Sequence, residues 1–145
     1  MYLGQVAYQN EDSGDAMTPF LPSMRRVRLE LARDPDHPEG SRGRGYDFIA
    51  PLDDEGRILE ADWRKSKDRC RVKRFWEGEP DEVGHIVRKR GGKWAFHYDI
   101  HGDEEADETG YRMGEHVFKP GEYVSILEHD GVLRTFKVMS VVELD

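Results

Sequence analysis

A chain of 145 residues has the usual size of one domain and can bury roughly two-thirds of its unfolded surface, so no metal or disulfide is needed to hold a core. The formal charge of −8 opposes nonspecific nucleic-acid binding by the molecule as a whole, and the single cysteine, Cys70, excludes an intrachain disulfide and the paired-cysteine zinc frameworks. Apolar runs fall far short of a membrane span and residues 1–10 lack a signal-peptide pattern, so a soluble cytoplasmic protein is expected.

Residues 10–23 combine Gly, Pro, Ser and acidic side chains without periodicity, which predicts a mobile or loosely docked segment. Strict alternation then places Val27, Leu29 and Leu31 on one face of a half-buried strand. Residues 34–45 hold two prolines and three glycines and read as a long loop. Residues 46–52 give a second strand, followed by the turn signal Asp53-Asp54-Glu55-Gly56. Residues 60–68 lack β alternation and contain good helix formers, predicting a short helix anchored by Trp63. Alternation resumes over residues 69–76, where Cys70 and Val72 share one face and basic residues occupy the other. Cys70 is read as a small buried side chain rather than a reactive thiol.

Residues 85–100 form two β-like runs around Gly91-Gly92, a pair suited to the positive φ angles of a tight hairpin. A two-residue loop would set Arg90 opposite Lys93, Lys89 opposite Trp94, Val87 opposite Phe96 and His85 opposite Tyr98. Val87, Trp94, Phe96, Tyr98 and Ile100 would then face the core, with the Lys89 stem over Trp94. A second hairpin is expected over residues 123–142 around Asp130-Gly131, started by Pro120-Gly121. The fold class is therefore mainly β: a single domain over residues 1–145, built as a small antiparallel barrel or strongly bent sheet with at most one or two short helices.

Two groups of side chains could carry chemistry. Period two puts His97, Asp99 and His101 on one polar strand face, and imidazole with carboxylate suits a divalent transition metal. Alternate residues lie ~7 Å apart along a strand, so joint ligation needs a bend, and a solvated hairpin face accounts for the same residues. The second group is the basic run Arg64, Lys65, Lys67, Arg69, Arg71, Lys73 and Arg74, with Trp76 able to stack, which could hold RNA or another polyanion. Between residues 64 and 93 the net charge is +6 against −14 elsewhere, so a solvated face paired with the acidic run at residues 103–108 is the competing reading. The acidic residues Glu77, Glu79, Asp81 and Glu82 surround Gly78 and Pro80 and read as a surface turn. No nucleophile stands beside a base and no phosphate or dinucleotide loop is present, so no catalytic residue is nominated.

The run Phe118-Lys119-Pro120-Gly121-Glu122-Tyr123-Val124, with Arg134-Thr135-Phe136, resembles the strand pair of ferredoxin-reductase flavin barrels. The chain departs from that pattern at Glu122 and Lys137, and flavin is not an expected cofactor. A broader likeness rests on Gly45-Tyr46 with Ala50-Pro51-Leu52-Asp53, Arg74-Phe75-Trp76-Glu77-Gly78-Glu79, Trp94-Ala95-Phe96 with Tyr98-Asp99, and Pro120-Gly121-Glu122-Tyr123-Val124-Ser125-Ile126. In these residues the chain resembles a group of small alphaproteobacterial proteins with no assigned function, which implies a bacterial origin and brings no site residues. The expectation is a non-catalytic binding or interaction module with a protein partner or a second copy of itself. A metal-dependent or small-molecule enzyme with a site near the His97, Asp99 and His101 strand, or a polyanion- or RNA-binding module using residues 64–74, is the alternative.

Overall fold

The computed structural model describes residues 19–99, 108–111 and 117–144. Eight strands run in chain order: β1 (Met24–Leu31), β2 (Ser41–Pro51), β3 (Arg71–Trp76), β4 (Glu79–Arg88), β5 (Trp94–Tyr98), β6 (Glu108–Tyr111), β7 (Tyr123–Leu127) and β8 (Leu133–Glu143). Each pairs antiparallel with the next, and β1 pairs with β8, so the strongly curled sheet closes into a barrel and leaves no long edge. One α-helix among the described residues, α1 (Glu60–Lys65), and a following 3-10 turn (Lys67–Arg69) lie in the connection from β2 to β3.

The alternation read from the sequence places the core. Val27, Leu29 and Leu31 point inward from β1, and Cys70 and Val72 are buried together at the start of β3. The lumen is filled by rings: Tyr46 lies 5.1 Å from both Phe96 and Phe136, and Phe48 lies 5.7 Å from Phe96 and 5.3 Å from Phe118. At the α1 end Trp63 packs edge-on to Trp94 at 5.0 Å and donates its indole N–H to the Ile86 carbonyl at 3.0 Å. That bond satisfies the one polar atom of a ring otherwise held by apolar burial, so the short helix is anchored as Trp63 predicted. Burial of each such large apolar side chain contributes about 1.5–3 kcal/mol, which makes this column the main support of the barrel.

Two differences from the sequence reading are informative. The hairpin of β4 and β5 is one residue out of the expected register: Arg88 faces Trp94, Ile86 faces Phe96 and Gly84 faces Tyr98. The turn holds three residues, Arg90–Gly92, closed by Lys89 N–H to Lys93 O at 2.8 Å, with φ of 81° and 78° at the two glycines. Ile86, not Val87, therefore enters the core, and the Arg88 guanidinium lies over the Trp94 ring, 4.5 Å from its centre. Gly84 helps lock this register, because a Cβ there would stand 2.0 Å from the His97 carbonyl oxygen. Ile100 lies outside the described residues.

Secondly, the connection after β1 is shorter than residues 34–45. Strand β2 starts at Ser41, and a bulge pairs Glu30 with Gly45 but Leu31 with Ser41, absorbing the Gly-rich residues into the sheet. Of the 10–23 segment, residues 10–18 lie outside the described residues; in residues 19–23 Phe20 and Leu21 pack on the core, and the Arg69 guanidinium sits 3.6 Å from the centre of the Phe20 ring.

Candidate functional site

The basic run does not form one surface. Arg64 and Lys65 are exposed on α1, where Arg64 pairs with Glu60; Lys67 lies 4.9 Å from the centre of the Trp63 ring, and Arg69 holds Phe20 and the Pro19 carbonyl. On β3, Arg71 and Lys73 point outward and Arg74 points inward, as strand alternation requires. Lys73 reaches Asp47 at 4.0 Å. Arg26, Arg71 and Lys73 share a shallow outer depression of about 280 Å³ with Asp47, Ile49 and Val83.

The polar face of β5 gains a partner that the expected register had hidden. His85 is directly opposite His97, and its Nδ1 lies 3.2 Å from Asp99 while Arg71 Nη1 lies 3.0 Å from its Nε2. A guanidinium only donates, so Nε2 of His85 is the acceptor and Nδ1 carries the proton toward Asp99. Arg71 also reaches Asp99 at 3.4 Å, and the group is solvent-facing. His101 lies outside the described residues; among those described, no three His, Cys, Asp or Glu side chains are placed to hold a metal ion.

The most concentrated ionic feature lies at the end of the barrel opposite α1, where the strand-end residues Arg74, Glu128 and Arg134 meet. Glu128 is buried and accepts hydrogen bonds from the Tyr46 hydroxyl, from Arg74 Nε at 3.1 Å and from Arg134 Nη1 at 2.5 Å. Arg74 reaches outward to Glu79 at 3.4 Å, and Arg134 to Asp130 at 3.1 Å. The guanidinium carbons of Arg74, Arg134 and Arg44 lie 4.3, 5.2 and 5.7 Å from the centre of the Trp76 ring. Burial works against the Arg134 charge, but hydrogen bonds and charge from Asp130 and Glu128 outweigh it and raise its pKa. Burial likewise opposes the Asp130 charge, but the Val132 N–H and Arg134 outweigh it and hold the carboxyl below its ordinary range. Each oxygen of Glu128 is thus engaged by a guanidinium, so the arrangement holds charge in place rather than presenting a free base to a substrate.

Sequence reasoning flagged Arg74 and Trp76 as binding residues and missed Glu128, Tyr46 and Arg134. The available signal was phase: Arg74 shares the even, inward positions of Cys70 and Val72, so it required a buried anion.

The remaining feature is an outer face. Of the seven large apolar side chains that are exposed among the described residues, six belong to the β7–β8 hairpin: Tyr123, Leu127, Val132, Leu133, Met139 and Val142. Register pairs Tyr123 with Lys137, Ser125 with Thr135 and Leu127 with Leu133. Beside them lies a cleft of about 840 Å³, which Tyr123, Thr135, Lys137 and Met139 line on one side and residues of the β1–β2 turn, including Arg33 and Arg42, on the other. Arg134, from the flavin-barrel likeness, is turned to Glu128 and Asp130 instead of this cleft.

No protein-family model, curated protein or solved structure matches the chain.

Proposed function

We propose that the protein is a non-catalytic interaction module of a bacterial cytoplasm that recognises a protein partner through the outer face of its β7–β8 hairpin. The observation that carries this reading is the contrast between a ring-filled lumen and the gathering of exposed apolar side chains on that hairpin. In a chain with 36% charged residues, outward positions 123, 125 and 127 with 133, 135, 137 and 139 hold one charge, Lys137. Depletion of charge with Tyr and Met enrichment is the composition of interface centres, and contiguous apolar surface on a barrel exterior marks a docking face. The intracellular part of the proposal is supported by the single cysteine, which suits a reducing compartment.

The test is site-specific photo-crosslinking in bacterial cells from position 133, with position 83, an exposed valine on β4, as control. A discrete protein adduct from 133 and none from 83 is expected. No adduct from 133, or equal labelling from both, overturns the reading.

A further inference from the structure

We infer that the occupant of this face is a second copy of the chain, packed about a two-fold axis through the Ser125–Thr135 pair. The inference rests on the interaction-module reading and names its partner.

An isologous contact requires a surface that complements itself. The β7–β8 face is arranged in three rows: Tyr123 with Lys137 at one end, Ser125 with Thr135 in the middle, and Leu127 with Leu133 at the other end, next to the turn that carries Asp130 and Val132. The end rows lie four residues from one another along each strand, ~13 Å apart. A two-fold axis through the middle row sets Tyr123 and Lys137 of one copy against Leu127 and Leu133 of the other, twice over. The Tyr123 ring then has an aliphatic surface to cover. Lys137, the only charge on the face, meets the turn holding Asp130, whose side chain is 47% exposed in the free chain and pairs with Arg134 at 3.1 Å. The cleft beside Lys137 carries mixed charge, Arg33 and Arg42 with Glu30 and Glu39 on its far wall, and Met139 on its near wall offers apolar surface to Val132 of that turn, so Lys137 is the group that meets the turn's acid.

Charge separates this partner from a cationic one. Two chains of formal charge −8 repel at long range, so a homodimer held by apolar contact should tighten as salt screens the repulsion. A complex steered by opposite charge should loosen.

Sedimentation of the purified full chain over a wide concentration range, at low and high salt, tests this. Dimerisation that strengthens with salt is expected. Leu133→Lys places a cation against Lys137 of the second copy and should weaken association at least tenfold, while Val83→Lys leaves it unchanged; near-ultraviolet circular dichroism checks that both variants fold. A chain that stays at single-chain mass under all conditions, or equal effects of the two substitutions, overturns the homodimer. Single-chain mass together with a position-133 crosslink to a different protein would leave the docking face standing and remove only the second copy.

Discussion

Replacing Glu128 by Gln isolates the energetic role of the ionic end of the barrel. The amide has nearly the same shape, but it removes a buried negative charge between two guanidiniums and turns an NH2 group toward donors. Arg134 keeps Asp130, whereas Arg74, 5% exposed, loses its fully buried counter-charge and keeps Glu79, a largely exposed partner at 3.4 Å. Breaking a buried pair from one side costs about 3–5 kcal/mol, because the remaining charge stays desolvated. For a domain of this size that corresponds to a fall in Tm of roughly 10 °C. Arg74→Met should cost less, since Glu128 retains Arg134 and Tyr46, and the double variant should be about 1–3 kcal/mol more stable than the sum of the single losses predicts. Urea and thermal unfolding followed by tryptophan fluorescence measures all three. A Glu128→Gln protein that melts within about 2 °C of the parent, or strict additivity, would refute the view that this network carries buried charge.

Gly84→Ala should destabilise by about 3 kcal/mol, as overpacking against fixed backbone does, since its Cβ would lie 2.0 Å from the His97 carbonyl; unfolding within 0.5 kcal/mol of the parent contradicts the register. Asp53 accepts the N–H groups of Arg57 and Glu55, each at 2.9 Å, and these bonds, opposed by slight burial, hold its carboxyl below the ordinary 3.8. Its depressed pKa stabilises the fold above pH 3.8 and that gain fades as pH falls through the lower folded value, so Asp53→Ala should cost about 1 kcal/mol at pH 7 and visibly less near pH 2 in acid unfolding curves. Burial pushes the Cys70 thiol up to about 12, so a thiol reagent at pH 8 should label the native protein at least a hundredfold more slowly than the urea-unfolded chain; comparable rates would show that the thiol is open to solvent.

Much of the architecture was legible because alternation is a local signal. The β1 core face, the Trp63 anchor, the inward pair Cys70 and Val72 and the Asp130-Gly131 hairpin all follow from side-chain phase and turn chemistry within a few residues. The ionic end was not legible. Arg74 and Glu128 are 54 positions apart and Tyr46 is 82 from Glu128, so their meeting depends on barrel closure rather than on any local pattern. A seven-residue basic run looks like one patch in the sequence, yet a helix, a 3-10 turn and the two faces of a strand send its members in four directions.

The β4–β5 hairpin shows why cross-strand neighbours were harder to read from the sequence than the fold class. Gly91 and Gly92 suit both a two-residue and a three-residue loop, and odd positions on β4 offered two valines against the single isoleucine of the even set, so local evidence favoured the wrong register. The deciding contacts are distant: Ile86 donates its N–H to Cys70 and accepts from the Trp63 indole, and Gly84 is the residue that allows the close approach of the His97 carbonyl. A slip of one residue barely alters the barrel, since Trp94, Phe96 and Tyr98 stay inward either way. It does change every cross-strand neighbour. His85 moves from facing Tyr98 to facing His97, which brings it within reach of Asp99 and Arg71, so the outer polar group exists only in the register set by the three-residue turn.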